Sequence, residues 1–102
     1  MRLPADCTDM TELRAGIDAL DREIIALLAR RVGYIDRAAE IKAQAGLPAN
    51  IPARVEEVVA RVRAAAGEAG FDPALAETIW REMIGWSIAR EEEKLGAQAP
   101  TE

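Results

Sequence analysis

Apolar residues recur at helical spacing through the first half of the chain, at Leu13, Ile17, Leu20, Ile24 and Leu27, then at Ala38 and Ile41. From about Asp9 to Ala45 there is no proline, and the two glycines, Gly16 and Gly33, stand alone. The pattern is a seam at heptad spacing and predicts one very long first helix. Asp9 and Glu12 have the spacing of a capping box, with Thr8 or Asp9 as N-cap. Gly46, Pro48 and Pro52 end the run. A second helix is predicted from about Pro52 to Ala66, with proline in its first turn and Gly67 and Gly70 closing it. Asp72-Pro73 reads as the N-cap and first-turn proline of a third helix that reaches about Leu95. The tail from Gly96 to Glu102 is expected to fray.

The length of the first helix changes the picture. About 37 residues make a helix roughly 55 Å long, whereas a compact domain of about 100 residues has a radius of gyration near 13 Å. The seam outruns any core its own chain can build, so an intertwined homodimer with the two long helices packed together is expected. The alternative is a plain three-helix bundle whose first helix kinks, for instance at Gly33.

Composition narrows the class. The 102 residues suffice for one domain, read as spanning 1–102. Half are hydrophobic but only four are aromatic, and abundant alanine with few β-branched residues favours an all-α chain. The net charge of -5 argues against a general nucleic-acid surface. No apolar run approaches the ~18 residues of a membrane span. The segment Met1 to Thr8, with Pro4, Asp6 and Cys7, has no signal-peptide core, so a cytoplasmic protein is expected. There is no histidine, and Cys7 is the one cysteine. That removes His-paired nucleophiles, clustered zinc ligands and intrachain disulfides. Cys7 reads as a structural or incidental thiol. Neither a metal nor a cofactor is expected, and any chemistry should need little proton shuffling.

One position breaks the seam. At 100° per residue, Arg31 and Lys42 are eleven residues and only about 20° apart, roughly 16 Å along the axis. They share a face, and Arg31 falls on the apolar stripe. A charge there is costly unless an anion meets it. Arg14 lies about 100° away from Arg31 and joins the same site most easily from a partner subunit. Arg54 follows the loop Gln44–Ile51 and is placed to fold over a ligand. Four such cations suit a small dicarboxylate, because the planar guanidinium grips a carboxylate with two bonds. The plainer reading pairs Arg14 with Asp18, and Arg37 with Glu40 or Asp36, as solvated helix charges. On the third helix Ser87, Ile88 and Glu91 each lie within about 60° of Ile84. Glu91 thus sits on an apolar face one turn after a serine. Its plainer reading is an ion pair with Lys94 or Lys42.

The segments Asp6-Cys7-Thr8, Glu12 to Asp18, Leu27 to Arg31, Ile41-Lys42-Ala43 and Ile84 to Ala89 together resemble the all-helical chorismate mutase family. Within it they resemble the branch that contains the isochorismate-pyruvate lyase of salicylate synthesis. The resemblance covers nearly the whole chain, and it implies an intertwined helical dimer with two active sites. By resemblance, Arg14 arrives from the partner subunit to grip one substrate carboxylate. Arg31 holds the other carboxylate or the enolpyruvyl side, and Lys42 contacts the ether oxygen and a carboxylate. Arg54 closes the site, and Ser87 bonds a ring carboxylate. Position 91, often Gln in the family and there a donor to the ether oxygen, is Glu here. A carboxylate accepts only, whereas a carboxylic acid can donate. Two acidic positions of housekeeping mutases correspond to Ile51 and Val55, a departure that resembles the lyase branch.

The activity so implied is the pericyclic rearrangement of chorismate to prephenate, with Lys42 and Glu91 as catalytic residues. The alternative is an isochorismate-pyruvate lyase using the same pocket to release salicylate and pyruvate. A third reading is a non-catalytic helical dimer that binds acidic metabolites or a partner protein. All three expect a homodimer with no nucleic-acid or membrane partner, and both catalytic readings expect a small dicarboxylate ligand.

Overall fold

A computed structural model describes residues 3–96. The expected fraying of the tail lies, beyond Gly96, outside those residues. The chain forms a short 3-10 turn, Pro4–Asp6, followed by three α-helices: α1 (Met10–Ala45), α2 (Pro52–Ala69) and α3 (Pro73–Leu95). Among the described residues there is no strand, so the all-α expectation holds. α1 runs without interruption through Gly16 and Gly33.

The helix ends show why the boundaries fall where they do. Asp9 Oδ1 accepts the Glu12 N–H at 2.8 Å, and Glu12 reaches back to accept the Thr8 N–H at 2.8 Å. Asp9 is therefore the cap, and the Glu12 side chain reaches one residue beyond it, to Thr8. α1 ends on Gly46 at φ 71°. The Gly46 N–H donates to the Ala43 carbonyl and the Leu47 N–H to the Lys42 carbonyl, at 2.9 Å in the second case. This is a Schellman closure. α2 ends the same way on Gly70 at φ 77°, with the Phe71 N–H donating to the Ala66 carbonyl at 2.8 Å. α2 therefore runs three residues past the expected Ala66. Gly67 stays helical, and the left-handed residue that stops the helix is Gly70. At α3 the Asp72 side chain caps the Ala74 and Leu75 N–H groups, with Pro73 next in line.

The described residues divide into two compact units between Tyr34 and Ile35. The first holds the 3-10 turn and the longer, N-terminal part of α1. Its seam residues Ile17, Leu20, Ile24 and Leu27 are each about half exposed. The second holds the end of α1 with α2 and α3, and α2 packs along α3. Its buried apolar residues are Ala39, Ala49, Val59, Ala66, Ala76 and Ile84. Here the inward face of α1 passes through Ala39, while Ile41 is about half exposed. The heptad extrapolation to Ala38 and Ile41 drifts off that face, because an α-helix turns 3.6 residues and departs by about 20° per heptad from a 3.5 repeat.

Surface charges tie α2 to α3. Arg81 forks onto Glu56 at 3.0 and 3.1 Å and donates from Nε to Glu77 at 2.6 Å, while Arg63 also bonds Glu77. Hydrogen bonds from Arg81 hold both carboxyls below the ordinary glutamate range.

At Gly70 a Cβ would meet nothing within 4 Å, so its replacement costs only backbone strain. Gly70→Ala is expected to lower stability by about 1–2 kcal/mol, the cost of holding an L-residue left-handed. Urea unfolding measures it, and an unchanged midpoint would show that the α2 terminus does not depend on that conformation.

Candidate active site

Lys42 lies in the last turn of α1, and Glu91 lies in the last turns of α3. The Lys42 ammonium donates to Glu91 Oε1 at 2.7 Å and to the Ala49 carbonyl at 2.8 Å. The Glu91 side chain is 5% exposed and that of Lys42 is 20% exposed. Of the two candidate partners for Glu91 it is Lys42 that pairs with it, while Lys94 Nζ stands 4.0 Å from Asp36. An ammonium has three N–H donors, and two are used here among the described residues. The group is thus fixed by two bonds and keeps a solvent-facing edge.

The local sequence explains the position. The Schellman turn at Gly46 reverses the chain, and Pro48 leads into buried Ala49, whose carbonyl comes back to the Lys42 side chain. On α3, Ile84, Ser87 and Glu91 are all buried, so the face predicted from helical spacing is the inward one. The Ser87 hydroxyl donates to the Met83 carbonyl at 2.9 Å, one turn back. Ile84 and Ile88 line an open groove of about 260 Å³ together with Asn50, Val55, Glu56 and Arg81.

Arg54, in the first turn of α2, is exposed and donates to Glu57 at 2.6 Å. Arg14 is exposed on α1, and Arg31, also on α1, is half-buried. Arg37 pairs with Glu40 at 2.7 Å, one of the two partners expected for it. Asp36 turns instead to Arg90. Two participants escaped sequence reasoning. The Ala49 carbonyl carries no side-chain signal, although the Gly46–Pro48 break marks a turn there. The Asp36–Arg90 pair joins residues 54 apart, a separation that local pairing rules do not span. Among the described residues no group of His, Cys, Asp and Glu side chains is arranged to hold a metal ion. No helix there is long and apolar enough to cross a membrane.

Comparison with known proteins gives a consistent set of relatives. The family described as chorismate mutase type II matches this chain over residues 13–92. An isochorismate pyruvate lyase of Pseudomonas aeruginosa is 35% identical over 92 residues, which covers 89% of each chain. A chorismate mutase of Methanocaldococcus jannaschii is 31% identical over 86 residues, 84% of this chain and 87% of that one. The T-protein of Enterobacter agglomerans is 33% identical over 86 residues, 84% of this chain but only 23% of its own length.

Removing one member of a buried ion pair strands the other. Lys42→Met is expected to destabilise the protein by about 3 kcal/mol, because Glu91 is left without a counter-charge. Lys42→Met combined with Glu91→Leu should recover most of that loss. Urea unfolding of the single and double variants checks this, and a double variant no more stable than the single would show that the charges are not what couples them.

Proposed function

Because the chain belongs to the chorismate mutase type II family, we propose that it rearranges chorismate to prephenate at a site built around Lys42 and Glu91. The observation that carries this reading is the bond from the half-buried Lys42 to the buried Glu91, which shares one face of α3 with the buried Ser87. The substrate is a cyclohexadiene carrying one carboxylate and an enolpyruvyl ether carrying a second. The ether C–O bond breaks and a C–C bond forms within one molecule, so no nucleophile or metal takes part in bond making. That suits a chain without histidine.

In this reading binding is the work of cations. Arg31 and the partner subunit's Arg14 clasp the carboxylates, Ser87 bonds the ring carboxylate, and Arg54 leaves Glu57 to close over the ligand. Clamping both ends favours the compact diaxial conformer in which the reacting carbons approach. Negative charge grows on the ether oxygen as its bond lengthens. The third N–H of Lys42 meets that charge, and Glu91 holds the ammonium in place by accepting its first bond. A rate gain of 10⁶ needs only ~8 kcal/mol, which orientation and one or two such bonds can supply.

Isochorismate-pyruvate lyase activity is a second reading. It is favoured by the apolar side chains at Ile51 and Val55 and by the similarity to the Pseudomonas aeruginosa enzyme. Incubation with chorismate and, separately, with isochorismate decides between them, following prephenate, salicylate and pyruvate. Prephenate from chorismate is the expected product. Salicylate and pyruvate from isochorismate alone would make the protein a lyase, and turnover of neither between pH 4 and 8 would leave a binding protein.

The proposed dimer shares its sites, and that has a measurable consequence. Arg14→Ala and Arg31→Ala should each be inactive. Refolded together at equal amounts they should regain about a quarter of wild-type activity, since half the dimers are mixed and each mixed dimer keeps one intact site. Activity that stays absent in the mixture, from folded protein, would place Arg14 and Arg31 in the same subunit's site.

A further inference from the structure

Two successive residues of α3 reach α1 in different ways. Glu91 turns inward to Lys42. Arg90 forks onto Asp36, with Nε donating to Oδ1 at 2.6 Å and Nη2 donating to Oδ2 at 3.0 Å. The same guanidinium lies 5.5 Å from the centroid of the Trp86 ring, one turn earlier on α3. Lys94 approaches the same Asp36 oxygen to 4.0 Å. The hydrogen bonds from Arg90 hold the Asp36 carboxyl below the ordinary aspartate range, and Asp36 raises Arg90 in turn.

The directions of these bonds matter more than their number. Neighbouring residues of a helix point 100° apart, so the two tethers leave α3 on different bearings. On α1 they land at 36 and 42, six residues or about 9 Å apart along the axis. One tether lets a helix turn about it and slide past it. Two tethers that diverge at one end and land apart at the other fix both rotation and stagger. The fork and the Trp86 ring hold the guanidinium in one place, which a single-point surface pair does not do.

We propose, resting on the reading of Lys42 and Glu91 given above, that Asp36 and Arg90 are positioning residues which set the rotation and stagger of α3 at which Glu91 meets Lys42. They act through the pair and do not touch the substrate. An exposed ion pair that only adds a little stability would leave the geometry at Lys42 unchanged when removed. That difference is what the test reads.

The chain has just two lysines, Lys42 and Lys94. In a Lys94→Arg background, ¹⁵N-lysine labelling therefore gives one side-chain ammonium signal, that of Lys42. In Asp36→Asn and in Arg90→Gln that signal should move and exchange faster with water. The kcat for chorismate should fall about tenfold or more while KM changes less than about threefold, as expected when reacting groups are displaced by a fraction of an ångström. The charge-reversed double variant Asp36→Arg/Arg90→Asp should bring both readouts back toward the wild type, and Arg90→Lys, which keeps the charge but not the fork, should fall between. A Lys42 signal identical in wild type and in both single variants overturns the proposal, and so does a folded charge-reversed protein that recovers neither readout. If the wild type turns over neither chorismate nor isochorismate, the proposed function falls, and the Lys42 signal still decides the positioning role.

Discussion

A carboxylate with only a twentieth of its side chain in reach of water needs a counter-charge, and Glu91 finds it in Lys42. The requirement organises the second unit of the protein. It obliges the end of α1 to meet the end of α3. It also obliges the loop after α1 to return, because the Lys42 ammonium donates its second bond to the Ala49 carbonyl. The backbone of the same residue is engaged as well, since the Lys42 carbonyl accepts the Leu47 N–H in the closure of α1. Helix termination and site construction are therefore one event. The left-handed Gly46 stops α1, turns the chain, and delivers the carbonyl that orients the cation.

Burying an ion pair is a poor way to gain stability, since desolvation consumes much of the attraction. Its value in the proposed reaction is that the charges are already desolvated and oriented before a substrate arrives. A cation held by two fixed acceptors needs no reorganisation when an ether oxygen becomes negative, and in a site shielded from water each charge acts at a lower effective dielectric. A chain with no imidazole and one peripheral thiol has few other ways to accelerate a reaction. A unimolecular pericyclic step asks for nothing more than shape and fixed charge.

The architecture was legible in the sequence wherever the signal was local. The Asp9–Glu12 box, the proline-free run, and Asp72-Pro73 each specify backbone geometry within a few residues, and the helix starts follow from them. The end of α2 was misplaced because two glycines compete for the closure, and composition does not say which adopts positive φ. Glu91 was readable as unusual because a charge on an apolar helical face stands out at 100° per residue, and burial of Ile84, Ser87 and Glu91 agrees with that face. The choice of Lys42 over Lys94 as its partner depended on how α1 and α3 are staggered, which no periodicity encodes. Arg31 stood out by falling on the seam, and helical geometry made Arg14 and Arg54 candidates, but the separate role of each came from resemblance; within one chain Arg54 bonds its own helical neighbour Glu57.

Four of the six buried apolar residues are alanines, and the remaining two are Val59 and Ile84. Small side chains let helix backbones approach closely, as α2 does along α3. They also bury little apolar area, so this core contributes modestly. The exposed ion pairs between α2 and α3 add little each. The large apolar residues lie elsewhere, half exposed along Ile17, Leu20, Ile24 and Leu27 of α1. Covering the exposed half of such side chains is worth about 1 kcal/mol apiece. In the proposed dimer that gain arrives with the partner, which also brings Arg14. A core of small residues and charges gains little from its own packing, and in that dimer the second copy would cover the seam. Stability and catalysis would then be drawn from the same association, so dilution of the subunits should weaken both together.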